Sequence, residues 1–350
     1  MRSPRNARWT AWLTAGWLSL VAVAPRAAED AATAVASPAD PPAPSAQPPT
    51  DEGGELILLD KSRDYLSQGF LNLSTRIDSF FGEERIFDES RKNFLRVYSN
   101  LTFQKSRGID FNVQVQAKVI LPALERRLHL LIESDDTPPG AVDQTNTIQT
   151  LSGAPPLDTP KGFRAGMQMQ FADTPHWNIS TDGGIRIHGF LPDPFVRERI
   201  IRTQDTELWE FRLTHSGYWF AKTGAGAVLQ FDADRRLQEN RLFRSRSVAT
   251  WSDHDQEYAF EQSFFLFQPI NVDNALAYQL SLFGFSQPNT HIDSYDISVK
   301  WRRRLHREWL YMEIQPLLSW PRDRNFRPTP SILFRLEAIL GGAACGCYGL

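Results

Sequence analysis

The chain has 350 residues, of which 41% are hydrophobic, 12% aromatic and 23% charged, and its formal net charge is -3. So many aromatic residues exclude a disordered chain, and only two cysteines exclude a disulfide-dense scaffold or a cysteine-rich zinc protein. The small negative charge gives no reason to expect nucleic acid as a partner. A single long apolar run argues against a bundle of membrane-spanning helices.

The N-terminal residues 1–28 have the pattern of a secretory signal peptide. Three arginines precede an apolar run over residues 9–24, and small residues follow it. This order predicts export and cleavage, and the run is shorter than the roughly 20 residues that a membrane-spanning helix needs. Cleavage after Ala24, Ala27 or Ala28 fits the small-residue rule, and an uncleaved signal anchor is the alternative.

Two further segments precede the first predicted strand. Residues 29–54 are rich in Ala, Pro, Ser and acidic residues, which predicts a disordered linker. Residues 55–92 predict a periplasmic helical segment, because apolar residues recur there at spacings of three and four. These are Leu66, Phe70, Leu73, Ile77 and Phe80. Such a helix could pack against the end of a domain or plug a cavity, and the sequence leaves both open.

From residue 93 to residue 340 the hydrophobic period becomes two, which predicts β-strands with one apolar and one polar face. The clearest strand covers residues 109–121 and is followed by Pro122. It is long enough for a tilted strand across a bilayer, which needs about 9–11 residues. Other clear strands are predicted over residues 163–171, 177–188, 219–231, 295–302 and 331–340. Weaker ones are predicted over residues 95–103, 127–134, 195–202, 207–214, 240–250, 257–268, 274–286 and 308–317.

These elements predict an all-β fold, a transmembrane antiparallel up-and-down β-barrel of 12–14 strands preceded by a short N-terminal helix. The alternation, the strand length and the export signal agree with it, since only helices and closed barrels satisfy the backbone in lipid. The long polar connection 135–161 is expected on the outer rim, where barrels carry their long loops. Turns are predicted at 106–108, 173–175, 215–217 and 287–289, and residues 341–350 form a C-terminal tail.

The polar faces of the predicted strands carry charges that the apolar faces lack. The pore-lining candidates are Arg96, Lys118, Arg164, Arg186, Arg212, Arg244, Arg246, Lys300, Arg302, Arg335, Asp182, Glu210, Glu313 and Glu337. Basic residues predominate on these faces, so an open lumen would disfavour cations. The alternative is a filled lumen in which arginines and carboxylates pair.

Four segments resemble the bacterial outer-membrane β-barrel proteins, within a porin-like group, and the resemblance covers residues 78–341. They are DSFFGEER at 78–85, LPALERRL at 121–128, WRRRLHREWL at 301–310 and FRLE at 334–337. The resemblance implies outer-membrane lipid and the barrel-assembly machinery as partners, in a Gram-negative bacterium. Such barrels end on an aromatic residue, whereas Leu340 holds that place here.

Catalytic, metal and cofactor sites are not predicted. His215 and Ser216 suggest a comparison with outer-membrane phospholipases, but adjacent strand residues point to opposite faces and cannot pair in place. Their proximity to Gly217 predicts a turn instead. The remaining histidines lack ligand spacing, and Cys345 and Cys347 could form a strained disulfide or have no role.

The expected function is therefore a passive pore or transport channel for small polar or anionic solutes in the outer membrane. A non-conducting barrel that acts as a scaffold or surface-contact protein is one alternative. A barrel enzyme acting on lipids or surface polymers is another, disfavoured by the missing nucleophile–base pair, and a secreted soluble β-protein is the last.

Overall fold

A computed structural model describes residues 77–78, 80–81, 93–105, 108–120, 128–135, 162–188, 191–237, 240–254, 256–306 and 309–341. They contain β1 (Phe94–Gln104), β2 (Gly108–Ile120), β3 (Leu128–Asp135), β4 (Gly162–Asp173), β5 (Trp177–His188), β6 (Leu191–Asp205) and β7 (Trp209–Phe220). The second half contains β8 (Gly224–Arg236), β9 (Leu242–Ser252), β10 (Glu257–Asn271), β11 (Asn274–Phe285), β12 (His291–His306), β13 (Leu310–Pro321) and β14 (Thr329–Gly341). A 3₁₀ turn, Arg322–Arg324, precedes β14.

The strands close into one antiparallel barrel in which each strand pairs with its neighbours in the chain. β14 returns to β1, with Gly341 opposite Phe94 and Ser331 opposite Gln104. The predicted all-β barrel is therefore confirmed, and the strand count is fourteen, the higher of the two numbers left open. Closure gives every strand a paired neighbour on both sides, whereas an open sheet would leave two edge strands exposed.

The two faces of the wall are chemically distinct, as the alternation predicted. In β14, Glu337 is fully buried, while Leu336 and Leu340 on the opposite face are each 48% exposed. The same alternation holds in β2 and β4, where Phe111, Met167 and their neighbours at every second position form an exposed apolar surface. The exterior is therefore apolar and the interior polar, the reverse of a soluble barrel.

The two ends of the barrel differ in their connections. We call the end at which Phe94 and Gly341 meet the terminal end, and the opposite end the distal end. The segment 136–161, which lies outside the described residues, joins β3 to β4 at the distal end. The alternation of strand directions thus places the longest connection opposite the chain ends, as predicted.

Six tryptophans lie near strand ends, where membrane barrels carry their aromatic girdles. At the terminal end these are Trp177, Trp209 and Trp309, and at the distal end Trp219, Trp251 and Trp320. Each ring can therefore reach the level of lipid headgroups while the central part of the wall remains apolar.

The turn predicted at 215–217 is wrong, because these residues lie inside β7. The chain reverses at residues 221–223 instead, and Gly224 follows with φ at 82°. A positive φ favours glycine because it has no Cβ. The predicted strand 219–231 is therefore interrupted, and Lys222 lies in this turn. The alternation continues through the turn without a break, so periodicity alone could not reveal it.

Candidate functional site in the barrel interior

A segment that precedes the barrel in the chain lies inside it. Ile77, Asp78, Phe80 and Phe81 have helical backbone and are buried, and we call these four residues the plug segment. The rest of the predicted helix lies outside the described residues. No helix among the described residues is long and apolar enough to cross a membrane. Both roles that the sequence left open, packing against a domain end and plugging a cavity, therefore stay predictions for the segment as a whole.

The plug segment packs on an apolar patch of the inner wall. The ring of Phe81 is 5.1 Å from that of Phe267, and the ring of Phe80 is 6.0 Å from that of Tyr311. The same cluster contains Phe94, Leu242, Phe265, Ala275, Ala277 and Ile339. Most of these wall residues lie close to the terminal end of their strands. The plug segment therefore packs on the inner face of β1, β9 to β11, β13 and β14, near the terminal end of the barrel.

One arginine ties the plug segment to the wall. Arg244 on β9 donates through Nε and Nη2 to both carboxylate oxygens of Asp234 on β8, at 2.7 and 2.6 Å. Its Nη2 also lies 2.9 Å from Oδ1 of Asp78. All three side chains are buried. The Asp234 pair orients the guanidinium, and the second carboxylate comes from the plug segment.

A larger ionic group lies on β1, β12, β13 and β14, with Glu337 at its centre. Arg96 Nε and Arg302 Nη1 are each 2.5 Å from a different oxygen of Glu337. Arg302 also lies 3.3 Å from Glu313, and Lys300 lies 3.7 Å from it. Shared carboxylates of this kind hold the closing strands in register.

A third group lies on the other side of the barrel, on β3 to β6. The three pairs are Arg164–Glu133 at 3.1 Å, Arg197–Asp182 at 2.8 Å and Arg186–Asp193 at 2.6 Å. Each joins two neighbouring strands, as does the Arg246–Asp232 pair at 2.7 Å on β8 and β9. These ion pairs therefore connect adjacent strands, in the same direction as the backbone hydrogen bonds of the wall.

Aromatic rings cover several interior guanidinium groups, a feature that sequence reasoning missed. Arg186 lies 3.8 Å from the ring centre of Phe220, and Arg302 lies 4.5 Å from that of Tyr311. Arg244 lies 5.5 Å from the ring of Phe267. The available signal was the unbroken apolar run Phe264–Phe267, since such runs are typical of strands covered on both faces.

The structure places all fourteen predicted pore-lining residues on the interior face and buries them. Whether they line an open pore stays a prediction. Sequence reasoning missed Asp78, Asp193 and Arg197, which join the same ionic groups. The two on β6 were missed because charged residues lie on both faces of that strand.

The interior charges are nearly balanced. Among the described residues, the buried charged side chains are twelve Lys or Arg and eleven Asp or Glu. The basic excess that the sequence indicated therefore almost disappears once Asp193, Asp234, Glu261 and Asp296 are included. This balance weakens the argument for anion selectivity.

The possible catalytic pair is separated by the wall. Ser216 is buried on the interior, while the neighbouring residue His215 belongs to the outward face of β7. The two side chains therefore cannot act as nucleophile and base for each other. Among the described residues, no group of three His, Cys, Asp or Glu side chains could hold a metal ion.

No protein-family model and no curated protein matches the sequence. The fold is similar to OprB of Pseudomonas putida, with a TM-score of 0.43 and 6% identity, covering 73% of this chain and 96% of the other. The outer membrane channel DcaP of Acinetobacter baumannii has a TM-score of 0.40 and 7% identity, covering 71% and 96%. OmpT, an outer membrane protein of Vibrio cholerae, has a TM-score of 0.40 and 7% identity, covering 71% and 97%.

At these scores the likeness carries no argument about function. The architecture rests on the chain itself, in which the strands close on one another, the charges face inward and the apolar side chains face outward. The described residues thus form a porin-like barrel with the architecture of the bacterial outer-membrane β-barrel proteins.

Proposed function

We propose that this protein is an outer-membrane channel for small polar solutes, closed in this conformation by its own plug segment. The apolar exterior supports residence in a bilayer, and the signal-like residues 1–28 support export to the outer membrane of a Gram-negative bacterium. Insertion by the barrel-assembly machinery is part of the same proposal. The charge balance of the interior gives no preference for anionic solutes.

The main support for this proposal is which strands the interior ion pairs connect. Each wall pair described above joins strands that are adjacent or two apart, and none of these pairs reaches the opposite side of the barrel. The pairs therefore leave the axis of the barrel to whatever segment occupies it. At the terminal end we propose that this occupant is the plug segment, whose rings pack on the inner wall.

The plug segment is suited to movement because it is not part of the wall. Its side chains contact the wall through the rings of Phe80 and Phe81 and through the Asp78–Arg244 ion pair. When these contacts are lost, the strand pairing from β1 to β14 remains intact, and Arg244 keeps its bond to Asp234. Opening therefore requires no break in the barrel.

A non-conducting scaffold is the second candidate, and one observation favours it. Arg96, Arg244 and Arg302 are almost completely buried, whereas side chains that line a water-filled channel would be wet. In that case the ionic groups would serve only to make the wall rigid.

Planar-bilayer recording of the full chain tests the proposal. Wild type should be closed most of the time, and the variant Asp78→Asn/Phe80→Ala/Phe81→Ala should conduct more often. Truncation of a buried phenylalanine removes about 3–5 kcal/mol, and about 1.4 kcal/mol shifts an equilibrium tenfold. We therefore expect the open probability to rise by more than about tenfold.

The matched control is Phe103→Ala/Phe334→Ala. These rings form an edge contact 6.0 Å apart on the outward face of β1 and β14, so they should leave gating unchanged. Folded protein is verified by heat-dependent gel mobility. If neither wild type nor the plug variant gives conductance steps, the channel proposal is wrong and the scaffold remains.

A further inference from the structure

Two ionisable side chains lie at the middle of the apolar exterior. Glu198 is the central residue of β6 (Leu191–Asp205) and is exposed, and His215 lies near the middle of β7 (Trp209–Phe220) on the same outward face. Other outward-facing charged residues, such as Arg202, Arg235 and Arg303, lie near strand ends at the terminal end. Among the outward-facing ionisable residues that the structure describes, only the central pair would be held at the depth of the acyl chains.

Neither side chain has a hydrogen bond or ion pair with any other residue that the structure describes. An outward glutamine on β10 shows how the wall itself can satisfy a polar side chain on this face. Gln262 accepts from Ser247 at 2.6 Å and donates to Ser245 at 3.1 Å, so its polar atoms are satisfied within the wall. An ionisable group inside a membrane is costly without a partner and by default marks a functional site.

The register places Glu198 and His215 at similar depths. Glu198 lies opposite Gly217, and His215 lies one outward position from it, toward the terminal end. Residues that are paired across neighbouring strands lie progressively closer to the distal end as the strand number increases. The series of paired residues that starts with Arg96, near the terminal end of β1, ends with Asp193, near the distal end of β6. Its intermediate members are Gln116, Glu133, Arg164 and Arg186. A residue level with Glu198 on β7 is therefore displaced from Gly217 in the direction of His215.

Two glycines lie close to this pair on the neighbouring strands. Gly217 is opposite Glu198 on β7, and on β5 Gly183, opposite Val196, is the outward position next to Thr181, which faces Glu198. The nearest atom to a Cβ placed on Gly217 is Cε1 of His215, at 3.8 Å, and a Cβ on Gly183 would meet only ordinary contacts. Small residues at such a surface let two membrane-embedded elements approach closely.

We propose that this face of β5, β6 and β7 binds a second copy of the chain. A two-fold axis along the membrane normal brings the same patch of both copies together, so β6 of each copy faces β7 of the other. Glu198 of each copy then pairs with His215 of the other, which satisfies four ionisable groups with two equivalent contacts. Self-complementary charge at one depth selects a two-fold dimer, and the inference requires a membrane barrel but not a conducting one.

Cross-linking of the full chain in lipid nanodiscs tests the geometry. Ile200 faces outward opposite His215 and lies beside the expected axis. In a Cys345→Ser/Cys347→Ser background, Ile200→Cys should form a disulfide-linked dimer when oxidised with copper phenanthroline. Leu280→Cys, an exposed outward position on β11, is the control and should stay monomeric.

Charge exchange tests the pairing. Glu198→His and His215→Glu each place like groups opposite one another, and the dimer measured by light scattering should weaken more than about tenfold. The double variant Glu198→His/His215→Glu restores both pairs and should recover the dimer, while gel mobility verifies that each barrel is folded. A wild-type mass of one barrel, or a dimer that the single variants leave unchanged, would overturn the proposal.

Discussion

Glu337→Gln should lower the free energy of unfolding of the barrel by about 3–5 kcal/mol, because it removes one partner from a buried ionic group. Glu337 accepts from Arg96 on β1 and is paired with Arg302 on β12. The amide keeps the shape of the side chain but cannot balance two guanidinium charges. Denaturant unfolding in detergent micelles, followed by circular dichroism and gel mobility, measures the loss.

An ion pair with one exposed partner provides the matched control for this variant. Arg304 lies 2.9 Å from Asp273 at the terminal end, where the aspartate side chain is 59% exposed. Asp273→Asn should cost no more than about 1 kcal/mol, because water screens such pairs. Equal losses at Glu337 and Asp273 would show that the interior group is solvated and does not hold the closing strands together.

Val115→Arg should destabilise the membrane-inserted barrel by about 2–4 kcal/mol, the cost of an arginine on the lipid face near mid-bilayer. Val115 lies opposite Val97 in the middle of β2, among the exposed outward residues Phe111, Val113 and Val119. The measurement is denaturant unfolding from phospholipid vesicles, since a soluble protein would tolerate an exposed arginine at this place.

The control for the lipid face is the preceding residue. Gln114 points to the interior, opposite Tyr98, and the polar surroundings there accept a cation. Gln114→Arg should therefore be much milder than Val115→Arg. A similar cost at both positions would contradict the assignment of the two faces of β2.

The candidate site was predictable where one face of a strand is apolar and the other polar. Arg96, Glu313 and Glu337 follow directly from alternation in β1, β13 and β14, since a period of two assigns each side chain to a face. β6 was harder, because Asp193 and Arg197 point inward while Glu198 points outward. Charges on both faces of one strand remove the contrast that the prediction needs.

The sequence by itself determined the fold class, the direction in which most strand side chains point and the strand count to within two. It could do so because alternation is a local property that each strand carries independently. It could not locate the turn after Phe220, since alternation continues across it and the positive φ of Gly224 appears only in the folded backbone.

Only the tertiary structure decided which residues that are distant in the sequence lie close together in space. The position of Phe80 and Phe81 inside the terminal end depends on wall residues from several strands, including Phe267 and Tyr311. The alignment of Glu198 with His215 depends on the stagger between neighbouring strands. Both follow from closure and register, which are set by the pairing of all fourteen strands together.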